Sequence, residues 1–292
     1  VEADLKLAGG WKLSEKFRHS AMSGRFVGLF PADDVKAAAV GTKYATGPNA
    51  GQPYTGNAFT NTVFNTSIDD MGSTTNDVKL SKSFAQADGS KLNTTFGLFM
   101  NVQKVGLTWN FNQYLMQATD KNPALLSNAS TTAYGATALG TDVWGGCCTR
   151  AIDATYNTTS PYAVIGWEKG AWSLDGSLRH DQQVATGSYN QAVDNTFAPG
   201  NAKTINYTKS HTSYSFGGNY QLNKDLAFFA RLSEGVAFNA DRIMFGSAAV
   251  PMAGGAGVVP INTVKQLEGG VKLRNGNLST FVTLFQAKTD ES

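Results

Sequence analysis

The chain has 292 residues, 24 Lys+Arg against 22 Asp+Glu for a net charge of +2, 16% charged and 11% aromatic residues, and 31 glycines. That even balance does not provide the clustered basic face a nucleic acid needs, and the aromatic content argues against a disordered chain. A mean hydropathy of -0.23 excludes a bundle of membrane-spanning helices, each of which needs about 20 nearly uninterrupted apolar residues. An all-β fold remains.

Val1-Glu2-Ala3-Asp4 shows no basic run leading into an apolar one, so a signal peptide is expected to be absent or already removed. From Leu5 to Leu13 the odd positions, Gly9 apart, are apolar and the even ones polar or small, the period of a strand with one apolar face. Strands are expected near 3–13 and 17–30 about a short turn at Ser14-Glu15-Lys16, and a long loop near 31–72. Strands near 73–84 and 90–103 follow; in the second, Leu92, Phe96, Leu98, Met100 and Val102 share a face. A second long loop near 113–153 contains the adjacent Cys147 and Cys148, whose spacing fits neither a zinc site nor a CxxC redox pair; a vicinal disulfide and two loop thiols both suit them.

Strands near 154–167 and 171–185 are read about the turn Glu168-Lys169-Gly170, with Trp172, Leu174 and Leu178 alternating with Ser173, Asp175, Ser177 and Arg179. A loop near 186–203 precedes strands near 203–222 and 225–236, and a loop near 235–262 precedes strands near 262–274 and 277–290. The count is about ten antiparallel strands. Asn122 to Thr141 and Ile243 to Val264 are uncharged but interrupted by Pro, Gly or Ser, and read as loop rather than span.

Alternation alone also suits a soluble sandwich. The connections discriminate, because short turns alternate with very long links, as in outer-membrane β-barrels and unlike compact soluble domains. Aromatic residues flank the short turns: Trp11 and Phe17, Trp167 and Trp172, Tyr220 and Phe228. Rings of this kind settle at the headgroup level of a bilayer.

Several segments also resemble a known family. Trp11-Lys12-Leu13 with Phe17-Arg18-His19-Ser20, Gly24-Arg25-Phe26 and Leu29-Phe30-Pro31 resembles an early hairpin of a TonB-dependent outer-membrane receptor barrel. Phe229-Ala230-Arg231-Leu232-Ser233-Glu234-Gly235 with Asn239-Ala240-Asp241-Arg242, and Gln266 to Leu273 followed by Leu278 to Phe285, resemble later strands of it. The resemblance implies a transmembrane β-barrel of 22 strands around an N-terminal plug, in the Gram-negative outer membrane, of which residues 1–292 would be a partial barrel domain. The sequence departs from the family pattern in showing no plug, no TonB box and no terminal aromatic.

No P-loop, GxSxG elbow or HExxH is present, so no enzyme activity and no cofactor are expected. His19, His180 and His211 fall in different strands without metal-ligand spacing. In Arg179-His180-Asp181 the outer two share a face while His180 points away, which argues against an acid–base pair. If the apolar set meets lipid, Lys6, Lys12, Lys79, Asp175, Arg179, Arg231, Glu268 and Lys272 face a polar lumen, because Arg or Lys on the lipid face costs about 2–4 kcal/mol at midplane.

Tyr44, Tyr54, Tyr134, Trp144 and Tyr189 are candidate ligand-facing loop aromatics, and equally suit loops that pack on one another. Expected partners are the lipid bilayer and lipopolysaccharide, an extracellular solute and, through a plug, a TonB-type energy-coupling protein; no nucleic acid is expected. The leading functional expectation is TonB-coupled import of a scarce solute such as a metal chelate or oligosaccharide. The alternatives are a porin-like passive channel and a secreted β-rich adhesin or sugar-binding module.

Overall fold

The computed structural model describes residues 1–127, 149–192, 196–238 and 261–290. Their strands are β1 (Glu2–Lys6), β2 (Lys12–Ser20), β3 (Gly24–Pro31), β4 (Lys36–Ala37), β5 (Lys43–Tyr44), β6 (Asn57–Asp70), β7 (Ser73–Ala85), β8 (Lys91–Gln117), β9 (Leu125–Ser127), β10 (Arg150–Lys169), β11 (Trp172–Gln191), β12 (Ala202–Asn223), β13 (Leu226–Phe238), β14 (Ile261–Asn275) and β15 (Leu278–Asp290). All fifteen belong to one sheet, whose main path runs β1-β2-β7-β8-β10-β11-β12-β13-β14-β15. That path has ten strands, all antiparallel; its last eight match the expected ones, whereas the expected strands 3–13 and 17–30 are instead β1, β2 and, off the path, β3. Its ends, β1 and β15, do not pair with each other, so the sheet is open. Among the described residues no helix is long and apolar enough to cross a membrane.

The short turns at 169–172, 223–226 and 275–278 fall where the sequence places them, each closing a hairpin. The first turn does not. β1 pairs with β2 from Glu2↔Lys16 to Lys6↔Lys12, so the chain reverses over Leu7–Trp11, and Ser14-Glu15-Lys16 is strand interior. Gly9 and Gly10 carry φ of +69° and +79°, a left-handed conformation open to glycine, and they make the reversal. The break in alternation at Gly9 was the turn signal. Trp11 accordingly ends the turn, whereas Phe17 lies well up β2.

The stretch 31–72 also contains the fourteen-residue β6. Residues 57–70 are dominated by Asn, Thr and Ser, so their apolar alternation is faint; pairing with β3 on one side and β8 on the other holds them extended. Along one edge the 27-residue β8 serves two partners, β7 in its short-turn half and β6 in its loop-ward half, while β10 and β9 also pair with it. Inside the first long loop, β5 pairs with β9, stitching this loop to the one after β8.

The register assigns every side chain to one of two faces. One carries the cross-strand row Trp172, Tyr220, Phe228, Val271 and Val282, and the other the row Asp175, Gly217, Arg231, Glu268 and Phe285. In the short-turn half the Trp172 face is apolar and open: Phe96, Ile165, Trp172, Leu174, Leu178, Phe216, Phe228 and Leu232 are all exposed. In the loop-ward half the polarity reverses. There the Asp175 face buries Val105, Leu107, Ile152, Ala154, Tyr156, Ala185, Tyr189 and Ile205 in one cluster, with Met71 and Tyr207 against it. The Trp172 face at the same height presents exposed Asp153, Asn157, Thr159, Thr186, Ser188, Thr204, Asn206 and Thr208.

Candidate functional site

The polar wall of the short-turn half is built by one periodicity repeated on neighbouring strands. Asp175 on β11, Arg231 on β13, Glu268 and Lys272 on β14 line a common cleft of about 560 Å³. Gly217 on β12 stands between Asp175 and Arg231, and its missing side chain lets the guanidinium lie across the strand. Arg231 Nη2 reaches Asp175 Oδ1 at 2.7 Å and Nη1 donates to Ser215 Oγ at 2.5 Å. Lys272 Nζ donates to Asn219 Oδ1 at 3.3 Å and sits 5.0 Å from the centroid of the Phe229 ring. These are planar and point-charge donors on a shared wall, suited to holding carboxylates, amides and carbonyls of whatever fills the space.

Arg179 belongs to a second network, one turn of pleat higher. Its Nε donates to Asp181 Oδ1 at 2.7 Å, its guanidinium lies 4.9 Å from the Phe99 ring, and Ser160 Oγ donates to the same Asp181 oxygen at 2.6 Å. Asp181 is 4% exposed, and the two donors satisfy its charge. Arg179 and Asp181 do share a face as the alternation requires, and His180 bonds Thr212 on the other. Beside them Tyr162 donates to Asp77 Oδ1 at 2.9 Å, its ring lying over Gly97, where a Cβ would stand 2.1 Å from the ring. Lys79 shares this face on β7, opposite Ser14 and Gly97. Lys12 and Lys16, on the same face of β2, are paired with Asp4 and Glu2 of β1 at 2.9 and 3.0 Å.

The eight charged residues singled out from the sequence, Lys6 included by its pairing with Lys12, thus lie on one face, four of them around one cleft. Asp181, which the i,i+2 spacing placed beside Arg179, joins them, as do Asp77, Ser160, Tyr162 and Asn219; no spacing in the chain marks these four, because strand partners are chosen by register. Among the described residues no group of three or more His, Cys, Asp or Glu side chains could hold a metal ion.

The aromatic candidates fare differently. Tyr54 is 8% exposed, donates to the Asn57 carbonyl and meets Tyr44 edge-on at 5.2 Å, above buried Ala58 and Leu126. Tyr189 is strand, not loop, and 1% exposed within the apolar cluster. Burial pushes the Tyr207 phenol up to about 12 and that of Tyr156 higher still, and among the described residues the Tyr156 hydroxyl has no partner. Arg150, 2% exposed, sits 5.9 Å from the Trp109 ring, and burial lowers its pKa. Tyr134, Trp144, Cys147 and Cys148 lie outside the described residues.

An antiparallel sheet with an apolar open face, a charged opposite face, and connections short on one side and long on the other is the wall of an outer-membrane-type β-barrel. The comparisons agree. The TonB-dependent receptor-like β-barrel family matches residues 6–291, and the chain belongs to that family, one of receptors and transporters rather than enzymes. The fold is similar to the siderophore receptor PiuA from Acinetobacter baumannii, at 13% identity and a TM-score of 0.51 over 94% of this chain and 40% of that one. The ferric yersiniabactin uptake receptor FyuA from Yersinia pestis aligns over 99% of this chain and 48% of its own, at 12% identity and a TM-score of 0.39. No curated protein matches the sequence. The chain spans less than half the length of these two receptors.

Proposed function

We propose that this chain is barrel wall of a receptor in the Gram-negative outer membrane, which takes up a scarce solute from the loop side using energy coupled through a TonB-type protein. The Trp172 face meets lipid, the Asp175 face encloses the lumen, and Lys79, Asp175, Arg179, Arg231, Glu268 and Lys272 hold a plug or line the solute path. A closed cylinder of 22 strands, to which these ten contribute, completes the wall. The observation that carries this reading is the segregation of charge by face: in the short-turn half the row Asp175, Arg231, Glu268 backs onto the row Trp172, Tyr220, Phe228.

Around the barrel, lipopolysaccharide covers the outer wall above the hydrocarbon. Solute recognition falls to the segments beyond the loop-ward strand ends; of the loops expected near 113–153 and 235–262, residues 128–148 and 239–260 lie outside the described residues. With Tyr54 and Tyr189 packed into protein, it rests on residues other than those two rings. A metal chelate is the first solute to test, because PiuA is named a siderophore receptor, and an oligosaccharide the second.

The test uses the full-length protein in cells with and without the coupling protein, offered a panel of iron-55 chelates. Uptake that requires both the receptor and the coupling protein supports the proposal. Uptake indifferent to coupling points to a porin-like passive channel, and recovery in the soluble periplasm refutes both barrel readings.

A further inference from the structure

We propose that Lys82 and Trp11 form a binding site for the phosphate of a phospholipid headgroup, in the leaflet at the short-turn side of the sheet. The inference rests on the reading that the Trp172 face meets lipid. Lys82 lies between Leu80 and Phe84 in the alternation of β7 and pairs with Thr94, which places it on that face three residues from the strand end. Its Nζ is 4.5 Å from the Phe84 centroid and 5.6 Å from that of Trp11, and the two rings meet edge-on at 6.1 Å.

What sets Lys82 apart is the missing anion. On the Trp172 face of the short-turn half the other strand cation, Lys169, is held by Asp88 at 2.6 Å. Among the described residues no carboxylate reaches the Lys82 ammonium and no acceptor reaches the Trp11 indole N–H. Ring faces attract an ammonium without neutralising it. A full charge at the edge of hydrocarbon therefore calls for a counter-ion from outside the chain.

The available groups define its chemistry. One compact cation and one neutral N–H suit a single anionic phosphate diester, while Leu80, Phe84 and the body of Trp11 offer an apolar flank to the acyl chains. Phe84 shares a cross-strand row with Trp167 through Leu92, the level of the aromatic belt, where headgroups sit. Binding occurs when the phosphate oxygens accept from Nζ and Nε1, and no covalent change is involved.

The experiment reconstitutes the full-length receptor, strips bound lipid and follows re-binding by native mass spectrometry. The probes are phosphatidylglycerol, a phosphate-free galactosyl diacylglycerol, and inorganic phosphate alone. Wild type is expected to retain phosphatidylglycerol, and Lys82→Gln to lose about tenfold in retention, the effect of one charge-assisted hydrogen bond. Trp11→Phe, losing a neutral hydrogen bond, should lose about threefold, and Lys82→Arg should restore retention.

Equal retention by Lys82→Gln, or equal retention of the galactolipid, would overturn the site. Binding of inorganic phosphate alone at the same residues overturns the lipid assignment. Failure of the receptor to insert into vesicles is a different outcome: it removes the lipid-facing reading itself, and this site with it.

Discussion

The two halves of the strands obey opposite rules on a continuous backbone. Along β11, Trp172, Leu174 and Leu178 point to the open face while Asp175 and Arg179 point to the other; by Ala185 and Tyr189 the buried apolar residues have moved to the Asp175 side, and Thr186 and Ser188 take the open one. The alternation never slips, because β11 stays in register with β12 from Trp172↔Tyr220 to Asn190↔Ala202. Only the choice of residues changes. Period two therefore fixes which side chains share a face, and on the proposed function the surrounding medium decides which face is apolar: hydrocarbon outside one half, water outside the other. The crossover falls at Ser160, Arg179 and Asp181, where the buried carboxylate and its donors join the two regimes.

Substitutions that treat the halves alike should separate them. The largest effect is expected in the loop-ward cluster: Leu107, 2% exposed, leaves a cavity when truncated, and Leu107→Ala should cost about 2–5 kcal/mol in urea unfolding of the vesicle-embedded protein. Next, arginine placed on the open face distinguishes the two media. Leu178→Arg should cost about 2–4 kcal/mol, whereas Thr208→Arg on the same face of the neighbouring strand, in the loop-ward half, should stay within about 0.5 kcal/mol. Equal costs would sink the claim that only one half meets lipid.

A smaller effect probes the Asp175 face, where Tyr162 lies against Gly97. Gly97→Ala must push the ring aside and break its bond to Asp77, an overpacking cost of about 1–3 kcal/mol, and Tyr162→Ala in the same background should relieve part of it.

The smallest expected effect lies outside both halves, in the turns. Lys169 and then Ser90 hold the Asp88 carboxyl well below its ordinary value of 3.8. Because the folded value is the lower one, the clip between the two turns contributes fully above that ordinary value. Its contribution is lost as pH falls toward the folded one. Lys169→Gln should flatten the acid limb of the stability–pH curve, and added salt should shrink the difference in wild type.

Much of the wall was legible in the chain. Eight of the ten expected strands, three of the short turns and the common face of Asp175, Arg179, Arg231, Glu268 and Lys272 follow from alternation and turn residues. Three features did not. The Gly9-Gly10 reversal hid behind a single exception to the alternation, Gly9, in a run otherwise in period. β6 hid because its Thr and Asn side chains carry no apolar period, and its strand character comes from neighbours on both edges. Tyr54 and Tyr189 looked like loop aromatics because composition does not say what covers a ring; Ala58, Leu126, Ile152 and Ile205 do that from distant positions.

By itself the sequence determined the strand period, the alternation of short and long connections, and the exclusion of helical spans, since each of these is a local property of neighbouring residues. Tertiary structure alone decided that Arg231 reaches Asp175 across Gly217, that Asp181 is closed in by Ser160 and Arg179, and that polarity reverses midway along β11. Those outcomes depend on inter-strand register and on the medium at each height, and neither is written in the spacing along one chain.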